Sequence, residues 1–200
     1  MKKKYNFIVI NFFRVTNPYS GASEISYNFF KNIPSKNKKL IQLSNIKQKE
    51  NKIDTIIARS KFEKIFRIFE MAKLTKQYFK NKKYPVIIIE GASWVGYTFL
   101  FYFILKRKLK NSKFIYHSHN IEYLLRKQKN NYFISILTRY FENYIAKKFD
   151  IFTCVSNSDK KKIKEIYNVK SELLPNGINT PKISKIKEKK FKFNYIFFCG

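Results

Sequence analysis

Two histidines and a glutamate stand close together in the middle of the sequence, at His117, His119 and Glu122. They follow a short apolar run typical of a buried strand, Lys113 to Tyr116, and they precede a long helical pattern. In an open α/β sheet, ligands bind in the crevice outside the carboxyl ends of the strands. Titratable side chains at such a place therefore form a candidate catalytic or ligand-binding site.

The spacing of these side chains bears on which chemistry they can carry. A metalloprotease helix places two histidines on one face, whereas here we expect His117 and His119 to point to opposite sides of a strand. We therefore predict no metal site. His119, at the end of the strand where the loop opens, is predicted to face the crevice, and His117 is predicted to pack inside. Glu122 either faces the site or is a first-turn acid that complements the helix dipole.

Other polar or small residues follow other predicted strands. Gly21 precedes a helix, where backbone N–H groups can approach an anion, or it only makes a turn. The glycine-rich G-x-G-x-x-G fingerprint is missing, so a nicotinamide cofactor is disfavoured. Ser156, Asn176 and Gly177 each fit a helix cap or a turn when taken singly. Their common location at strand ends predicts that they share one rim with His119.

Apolar runs that resemble strands alternate with helical patterns along the chain. Predicted strands are Tyr5 to Phe12, Lys39 to Leu43, Pro85 to Glu90, Lys113 to Tyr116, Asp150 to Val155 and Glu172 to Leu174. The stretch from Ser44 to Asp54 is predicted to be a surface loop. This alternation indicates βαβ units and a parallel sheet. The predicted fold class is α/β, a Rossmann-like parallel sheet with helices on both faces.

Two predicted helices have specific features. A helix from about Ile57 to Lys80 is predicted to cover the sheet with an apolar face. That face contains Phe62, Ile65, Phe66, Phe69 and Ala72. The last helix is predicted to be capped by Ser158, with Asp159 in its first turn.

The lysine-rich tract from Pro181 to Lys190 is typical of a linker, and an apolar run follows it up to Gly200. We predict a first domain over residues 1–178, a linker over 179–192, and the first strand of a second domain over 193–200. The rest of that second domain is not in the sequence.

The net charge of +29 indicates a polyanionic partner, either nucleic acid or an anionic membrane surface. A codon bias towards lysine is the alternative cause. Basic runs such as Lys160 to Lys162 lack the aromatic platform of a single-strand binder, so nucleic acid is disfavoured. Val95 to Leu105 is shorter than the roughly 20 residues of a membrane span, which favours a buried or membrane-leaning helix. Cys154 and Cys199 fit reduced thiols of a cytoplasmic protein.

Taken together, the order of motifs resembles the amino-terminal half of a family 4 glycosyltransferase with the two-domain GT-B fold. The matching segments are Pro18-Tyr19-Ser20-Gly21-Ala22, His119-Asn120-Ile121-Glu122, Asp150 to Ser156, Leu174-Pro175-Asn176-Gly177-Ile178-Asn179 and Phe197 to Gly200. The resemblance covers essentially the whole chain.

The resemblance implies transfer of a sugar from a nucleotide-sugar donor to a cell-surface glycan or lipid-linked acceptor, with retention at the anomeric carbon and without a metal or other cofactor. It implies that Gly21 and Ala22 approach the donor phosphate or the transferred sugar, that His119 lines the cleft, and that Asn176 and Gly177 lead into the hinge. Ala22 stands where the family usually has a second glycine, which narrows the approach. The implied location is the cytoplasm, with peripheral association at the inner face of the membrane.

Two other functions remain open from the sequence. One is a related GT-B enzyme such as a nucleotide-sugar epimerase, and the other is a basic nucleic-acid-binding module. Because the donor-binding half is missing, we expect these 200 residues alone to have little or no transferase activity.

Overall fold

The computed structural model describes residues 5–128 and 132–176, which form an alternating α/β domain. Its seven strands are β1 (Asn6–Asn11), β2 (Lys38–Ser44), β3 (Ile53–Ile57), β4 (Pro85–Glu90), β5 (Lys113–Ser118), β6 (Ile151–Cys154) and β7 (Glu172–Leu173). Its helices are α1 (Gly21–Asn32), α2 (Lys61–Phe79), α3 (Val95–Lys106), α4 (Glu122–Gln128), α5 (Tyr132–Lys148) and α6 (Asn157–Tyr167).

The strands form one parallel sheet in the order β3-β2-β1-β4-β5-β6-β7. Because the strands are parallel, their carboxyl ends meet at one edge, where the loops that follow them also gather. The predicted Rossmann-like α/β class is confirmed.

Helices cover both faces of the sheet, but unevenly. Helix α1 packs on one face against alternate strand residues that include Val9 and Ile88. Helices α2, α3, α5 and α6 pack on the other face, where Ile8 and Ile87 contribute to the larger core. Side chains alternate between the two faces along each strand, so the nearly continuous apolar runs are buried on both sides, as parallel strands require.

Strand β3 was not predicted by the sequence, which assigned Ser44 to Asp54 to a surface loop. Asp54 and Thr55 interrupt its apolar residues, and β3 lies at the edge of the sheet, paired only with β2 through contacts such as Leu40 with Ile53. A short edge strand needs fewer apolar residues because one side of it faces solvent. Whether this segment forms a strand therefore depends on its pairing with β2 in the folded protein.

The predicted apolar face of α2 is wrong in its main residues. Phe62, Phe66 and Phe69 are 78%, 72% and 55% exposed, although Ala72 is buried and Ile65 packs against the core. The residues that α2 buries are Ile68, Met71, Ala72, Thr75 and Phe79. The helix carries two apolar stripes, and periodicity alone cannot choose between them. The second stripe, with one phenylalanine among smaller side chains, is the one that packs on the sheet.

Helix α6 begins two residues earlier than the prediction. Its cap is Ser156, whose Oγ accepts a hydrogen bond from the backbone N–H of Asp159 at 3.0 Å. Ser158 lies inside the first turn and is exposed. Asp159 is in the first turn, as predicted.

The predicted linker and the predicted strand over 193–200 lie outside the described residues, as does Cys199. Among the helices that the structure describes, none combines the length and the hydropathy needed to cross a membrane.

Candidate functional site

A row of polar side chains crosses the sheet at the carboxyl end of the strands, on the face that α1 covers. Its members are Gln42, Asn11, Glu90, His117 and Thr153, on β2, β1, β4, β5 and β6. Strand register aligns them: Asn11 pairs with Gln42, and His117 pairs with both Glu90 and Thr153. All five are buried. The domain thus keeps a polar layer where an apolar core would otherwise continue.

Glu90 is the centre of this row and binds both histidines. Its Oε1 lies 3.2 Å from Nδ1 of His117, and its Oε2 lies 2.7 Å from Nε2 of His119. Ser26 of α1 donates a third hydrogen bond to Oε2 at 2.9 Å. One buried carboxylate therefore joins the ends of β4 and β5 to the first half of α1.

The expectation that the two histidines point to opposite sides is wrong. Both rings face Glu90, and their centroids lie 4.8 Å apart. Alternate residues of an extended chain point to the same side, and the backbone from His117 to His119 keeps that direction just beyond β5. His119 is only 7% exposed, so both histidines are buried within the domain.

Burial works against the charged form of Glu90, yet the two histidines lower its pKa to about 2 through their charge and their hydrogen bonds. For His117, burial is the largest influence and disfavours protonation. The charge and hydrogen bond of Glu90, with the Leu174 carbonyl, outweigh it and raise the pKa of His117 above its ordinary value. The arrangement therefore favours a carboxylate beside a protonated imidazole.

Gly91 allows the ends of β4 and β5 to approach closely. Its N–H donates to the His117 carbonyl at 2.8 Å. A Cβ at this position would lie 2.7 Å from the Tyr116 ring and 2.8 Å from the His117 carbonyl oxygen, distances that side chains do not tolerate. Gly91 therefore fixes the position of Glu90 relative to His117.

Helix α1, which contacts this cluster through Ser26, begins at Gly21. Ser20 caps the helix through a reciprocal pair of hydrogen bonds with Ser23. Gly21 is exposed, and a Cβ there would meet no atom within 4 Å. Ala22 follows it and is half-buried. The first N–H groups of a helix have no intrahelical acceptor, so this end of α1 can receive an anion.

The remaining predicted site residues do not join the Glu90 cluster. The Glu122 carboxylate turns to Arg126 at 2.5 Å, as a first-turn acid of α4. Ser156 caps α6, with its hydroxyl bound to Asp159. Asn176 is the last described residue of its segment and is exposed. Gly177 lies outside the described residues.

Glu90 was missed by sequence reasoning, although a signal was present. It is the single acidic residue at the end of an otherwise apolar buried strand, Pro85–Glu90, and it is wholly buried. Burying a carboxylate is costly unless it is paired. A charged residue at that place therefore predicts a nearby cationic partner.

Glu142 of α5 is a second buried carboxylate that the sequence did not reveal. It accepts hydrogen bonds from the backbone N–H groups of Glu122 and Tyr123, each at 3.0 Å, and from the Tyr167 hydroxyl at 2.5 Å. Burial is the main cause that raises its pKa to about 7. Glu142 holds the start of α4, and with it the loop after His119, against α5 and α6.

Glu90, His117 and His119 are also the described residues whose ligand atoms converge enough to hold a metal ion, all within 4.8 Å of one another. The separations of 2.7 Å and 3.2 Å between carboxylate oxygens and ring nitrogens are hydrogen-bond lengths. Both oxygens of the Glu90 carboxylate are therefore paired with ring nitrogens without a cation. That no metal binds here stays a prediction.

A model of a known protein family matches a large part of this sequence. The family model described as Glycosyltransferase Family 4 matches residues 40–182. No curated protein matches the chain. The matched segment is well over half of the 200 residues and contains Glu90, both histidines and Ser156, the cap of α6. With a parallel α/β sheet and a polar site at its carboxyl edge, the chain belongs to Glycosyltransferase Family 4, and its function is of the glycosyltransferase type.

Proposed function

We propose that this domain forms the acceptor side of a cleft in which a sugar passes from a nucleotide-sugar donor to a glycan or lipid-linked acceptor, with retention at the anomeric carbon. The family match over residues 40–182 supports the reaction type. The observation that carries the site is the pair of hydrogen bonds by which Glu90 holds His117 and His119 at the carboxyl edge of the sheet.

In this proposal His119 is the residue that meets the transferred sugar. Its Nε2 is held by Glu90 at 2.7 Å, which fixes the ring plane and leaves Nδ1 for a ligand hydroxyl. Positioned groups in a site of low dielectric stabilise developing charge without reorganising. His117 lies deeper, against the Phe29 ring at 5.3 Å, and keeps Glu90 charged.

The start of α1 is the proposed contact for the departing diphosphate or the transferred sugar. Gly21 leaves open space beside the first turn of the helix, and a helix amino terminus attracts negative charge. Ala22 restricts that approach on one side. Glycosyl transfer requires stabilisation of the leaving diphosphate, and we propose that the dipole at the start of α1 contributes to it, without a metal or another cofactor.

Asn176 and Gly177 are proposed to lead into a hinge towards the donor-binding part of the enzyme. Glu122 and Ser156 are engaged inside the domain, and their proposed role in binding is limited to the loops that they shape. The proposed location is cytoplasmic, at the anionic surface of a membrane.

The test is transfer from a panel of labelled uridine, guanosine and thymidine diphosphate sugars to extracted glycolipids, using the complete gene product. We expect a glycosylated product whose anomeric configuration, read by NMR, matches that of the donor. Release of free nucleotide and free sugar without transfer, or no turnover with any donor, would overturn the proposal.

The variant His119→Ala, measured in the same assay, tests whether His119 takes part in the reaction. We expect a loss of at least about tenfold in kcat, or ~1.4 kcal/mol of barrier, measured at a temperature where circular dichroism shows the variant folded, because Glu90 also loses a buried partner. An unchanged rate would remove His119 from the site. His117→Ala is the companion variant, and because His117 is buried against Phe29 and Glu90 we expect it to lower thermal stability as well.

A further inference from the structure

A cavity of about 370 Å³ lies at the carboxyl edge of the sheet, where β1, β2 and β3 end. Its wall is formed by polar and aromatic residues that follow these strands and by the first turn of α2, and it includes Arg14, Tyr19, Asn45, Arg59, Lys61 and Lys64. Small-molecule sites have volumes of roughly 300–1,000 Å³. The cavity therefore has room for one sugar unit with a substituent.

The wall of the cavity is cationic. It contains the four basic residues just named, and no aspartate or glutamate lines it among the described residues. Glu63, in the same turn of α2, is already engaged, since it accepts the backbone N–H of Arg59 at 2.8 Å and pairs with Arg67 at 3.3 Å. Burial and the charge of Lys61 lower the pKa of Lys64. A ligand that complements this cavity is therefore an anion.

The two arginines of the wall are not explained by the lysine-rich composition. The chain has six arginines among its 42 basic residues, and Arg14 and Arg59 both line this cavity. Arg67 and Arg126 form salt bridges with glutamates, whereas Arg14 and Arg59 form none within the described residues. A planar guanidinium binds a carboxylate or a phosphate through two parallel hydrogen bonds. The wall thus presents oxyanion-binding groups that the domain itself does not use.

Arg14 is held in place by its surroundings. Its guanidinium carbon lies 4.5 Å from the centre of the Tyr19 ring, and its buried Nε has no hydrogen-bond partner in the described part of the chain. The backbone N–H groups of Val15 and Thr16 donate to Oε1 of the wholly buried Gln42, at 2.8 Å and 3.1 Å. The loop that carries Arg14 is therefore fixed to β2 before any ligand binds.

The position of the cavity relative to His119 favours the acceptor as its ligand. In the sheet, β4 separates β1 from β5, and with neighbouring strands about 4.8 Å apart the cavity begins on the order of 10 Å from the end of β5. A short oligosaccharide spans this distance. An acceptor with its reacting hydroxyl beside His119 can therefore place a neighbouring sugar unit in the cavity.

We propose that this cavity binds a sugar unit of the acceptor that carries an oxyanion, a carboxylate or a phosphate, through the guanidinium groups of Arg14 and Arg59. This inference rests on the proposed function, since it takes the domain to hold the acceptor, and it adds the charge class of that acceptor. The bound charge fixes the position of the acceptor and thereby selects the hydroxyl that reaches His119.

The first experiment follows the binding of small probes to the complete, nitrogen-labelled protein by heteronuclear NMR. The probes are methyl glucuronide, a methyl glucoside phosphate and the neutral methyl glucoside. We expect both anionic sugars to cause saturable shifts at the Nε–H of Arg14 and at the backbone N–H of Tyr19, and these shifts should weaken as salt rises. Absence of saturable shifts with both anionic sugars, or equal shifts with the neutral sugar, would overturn the proposal.

Arg14→Gln and Arg59→Gln test the two guanidinium groups separately, with the backbone N–H of Tyr19 as the reporter. Each change is expected to weaken binding of the anionic sugars at least about tenfold, because charge-assisted hydrogen bonds are lost. Arg14→Lys keeps the charge but not the planar fork, so we expect a smaller loss. The matched control is Arg107→Gln, which removes the same charge at the exposed carboxyl cap of α3 and should leave binding unchanged.

Equal losses in Arg14→Gln and in the Arg107→Gln control would show that total charge governs binding, and would overturn the proposal. We expect the melting temperatures of all these variants to stay unchanged, because none of the replaced side chains forms a salt bridge in the described part of the chain.

The donor is the other source of an anion, and uridine diphosphate is the probe for it. Saturable shifts at Arg14 and Tyr19 with uridine diphosphate, and none with the anionic sugars, would assign the cavity to the donor and overturn the proposal. None of these binding measurements requires turnover, so failure of this site and failure of the proposed transfer reaction remain distinguishable. In the active complete enzyme, Arg14→Gln should raise the KM of the acceptor and leave that of the donor unchanged.

Discussion

Oε2 of Glu90 lies 2.7 Å from Nε2 of His119, and the same carboxyl group lies 3.2 Å from Nδ1 of His117. Glu90, at the end of β4, and the two histidines, at the end of β5, thus form one buried hydrogen-bonded cluster. The strands bring these groups together through register, since Glu90 pairs with His117 in the sheet. The orientation of His119 therefore depends on a residue 29 positions earlier in the chain.

Glu90→Gln should change the pH dependence of stability. The pKa of Glu90 is lowered from 4.5 to about 2, so its contribution is present above about pH 4.5 and is lost as the pH falls towards 2. The pKa of His117 is raised from 6.5, so its contribution is present below about pH 6.5 and is lost as the pH rises through the raised value. The pair therefore stabilises the fold most between these limits.

Urea unfolding of the unmodified protein and of Glu90→Gln, from pH 2 to pH 8, measures this effect. At pH 5.5 we expect the variant to be less stable by on the order of 3 kcal/mol, since one partner of a buried pair is lost. The two curves should converge near pH 2. A constant difference across the whole range would contradict the ionic role of Glu90.

Gly91→Ala should destabilise the domain because the new Cβ would collide with the Tyr116 ring and the His117 carbonyl oxygen. We expect a loss of about 1–3 kcal/mol in the free energy of unfolding. Gly21→Ala is the matched control, since its Cβ would meet nothing within 4 Å. It should keep full stability while weakening donor affinity. Equal stability of the two variants would refute the close-approach argument.

Glu142→Gln should make the free energy of unfolding less dependent on pH between pH 4.5 and pH 7. The pKa of Glu142 is raised from 4.5 to about 7, so the folded state holds a proton that the unfolded state has released, and stability falls as the pH rises through this window. The glutamine variant lacks this titration. Thermal unfolding at half-unit steps of pH measures it, and an unaltered slope in the variant would assign the titration to another group.

Ser156→Ala should cost about 1 kcal/mol, because the hydroxyl caps the backbone N–H of Asp159. Ser158→Ala removes a different hydroxyl, which lies at an exposed position in the first turn, and it should have little effect on stability. Denaturant midpoints of the two variants decide between the caps. A larger shift for Ser158→Ala would restore the cap that the sequence favoured.

The sequence by itself determined the strands that are buried on both faces. Apolar runs such as Pro85–Glu90 and Asn6–Asn11 appear as parallel strands within one or two residues of their predicted limits. It also placed His117 and His119 at a strand end, because parallel strands put their carboxyl ends on one edge. These features depend on the local composition and on the spacing of apolar residues, and both can be read from the sequence alone.

Tertiary structure decided the features that depend on neighbours. The segment Ile53–Ile57 forms the edge strand β3 because it pairs with β2. Helix α2 buries Met71 and exposes Phe66 because only one of its two apolar stripes can pack on the sheet. The candidate site also depends on tertiary structure. His119 was recognisable by its place in the chain, but its partner Glu90 lies on another strand, and only packing shows that one carboxylate serves both histidines.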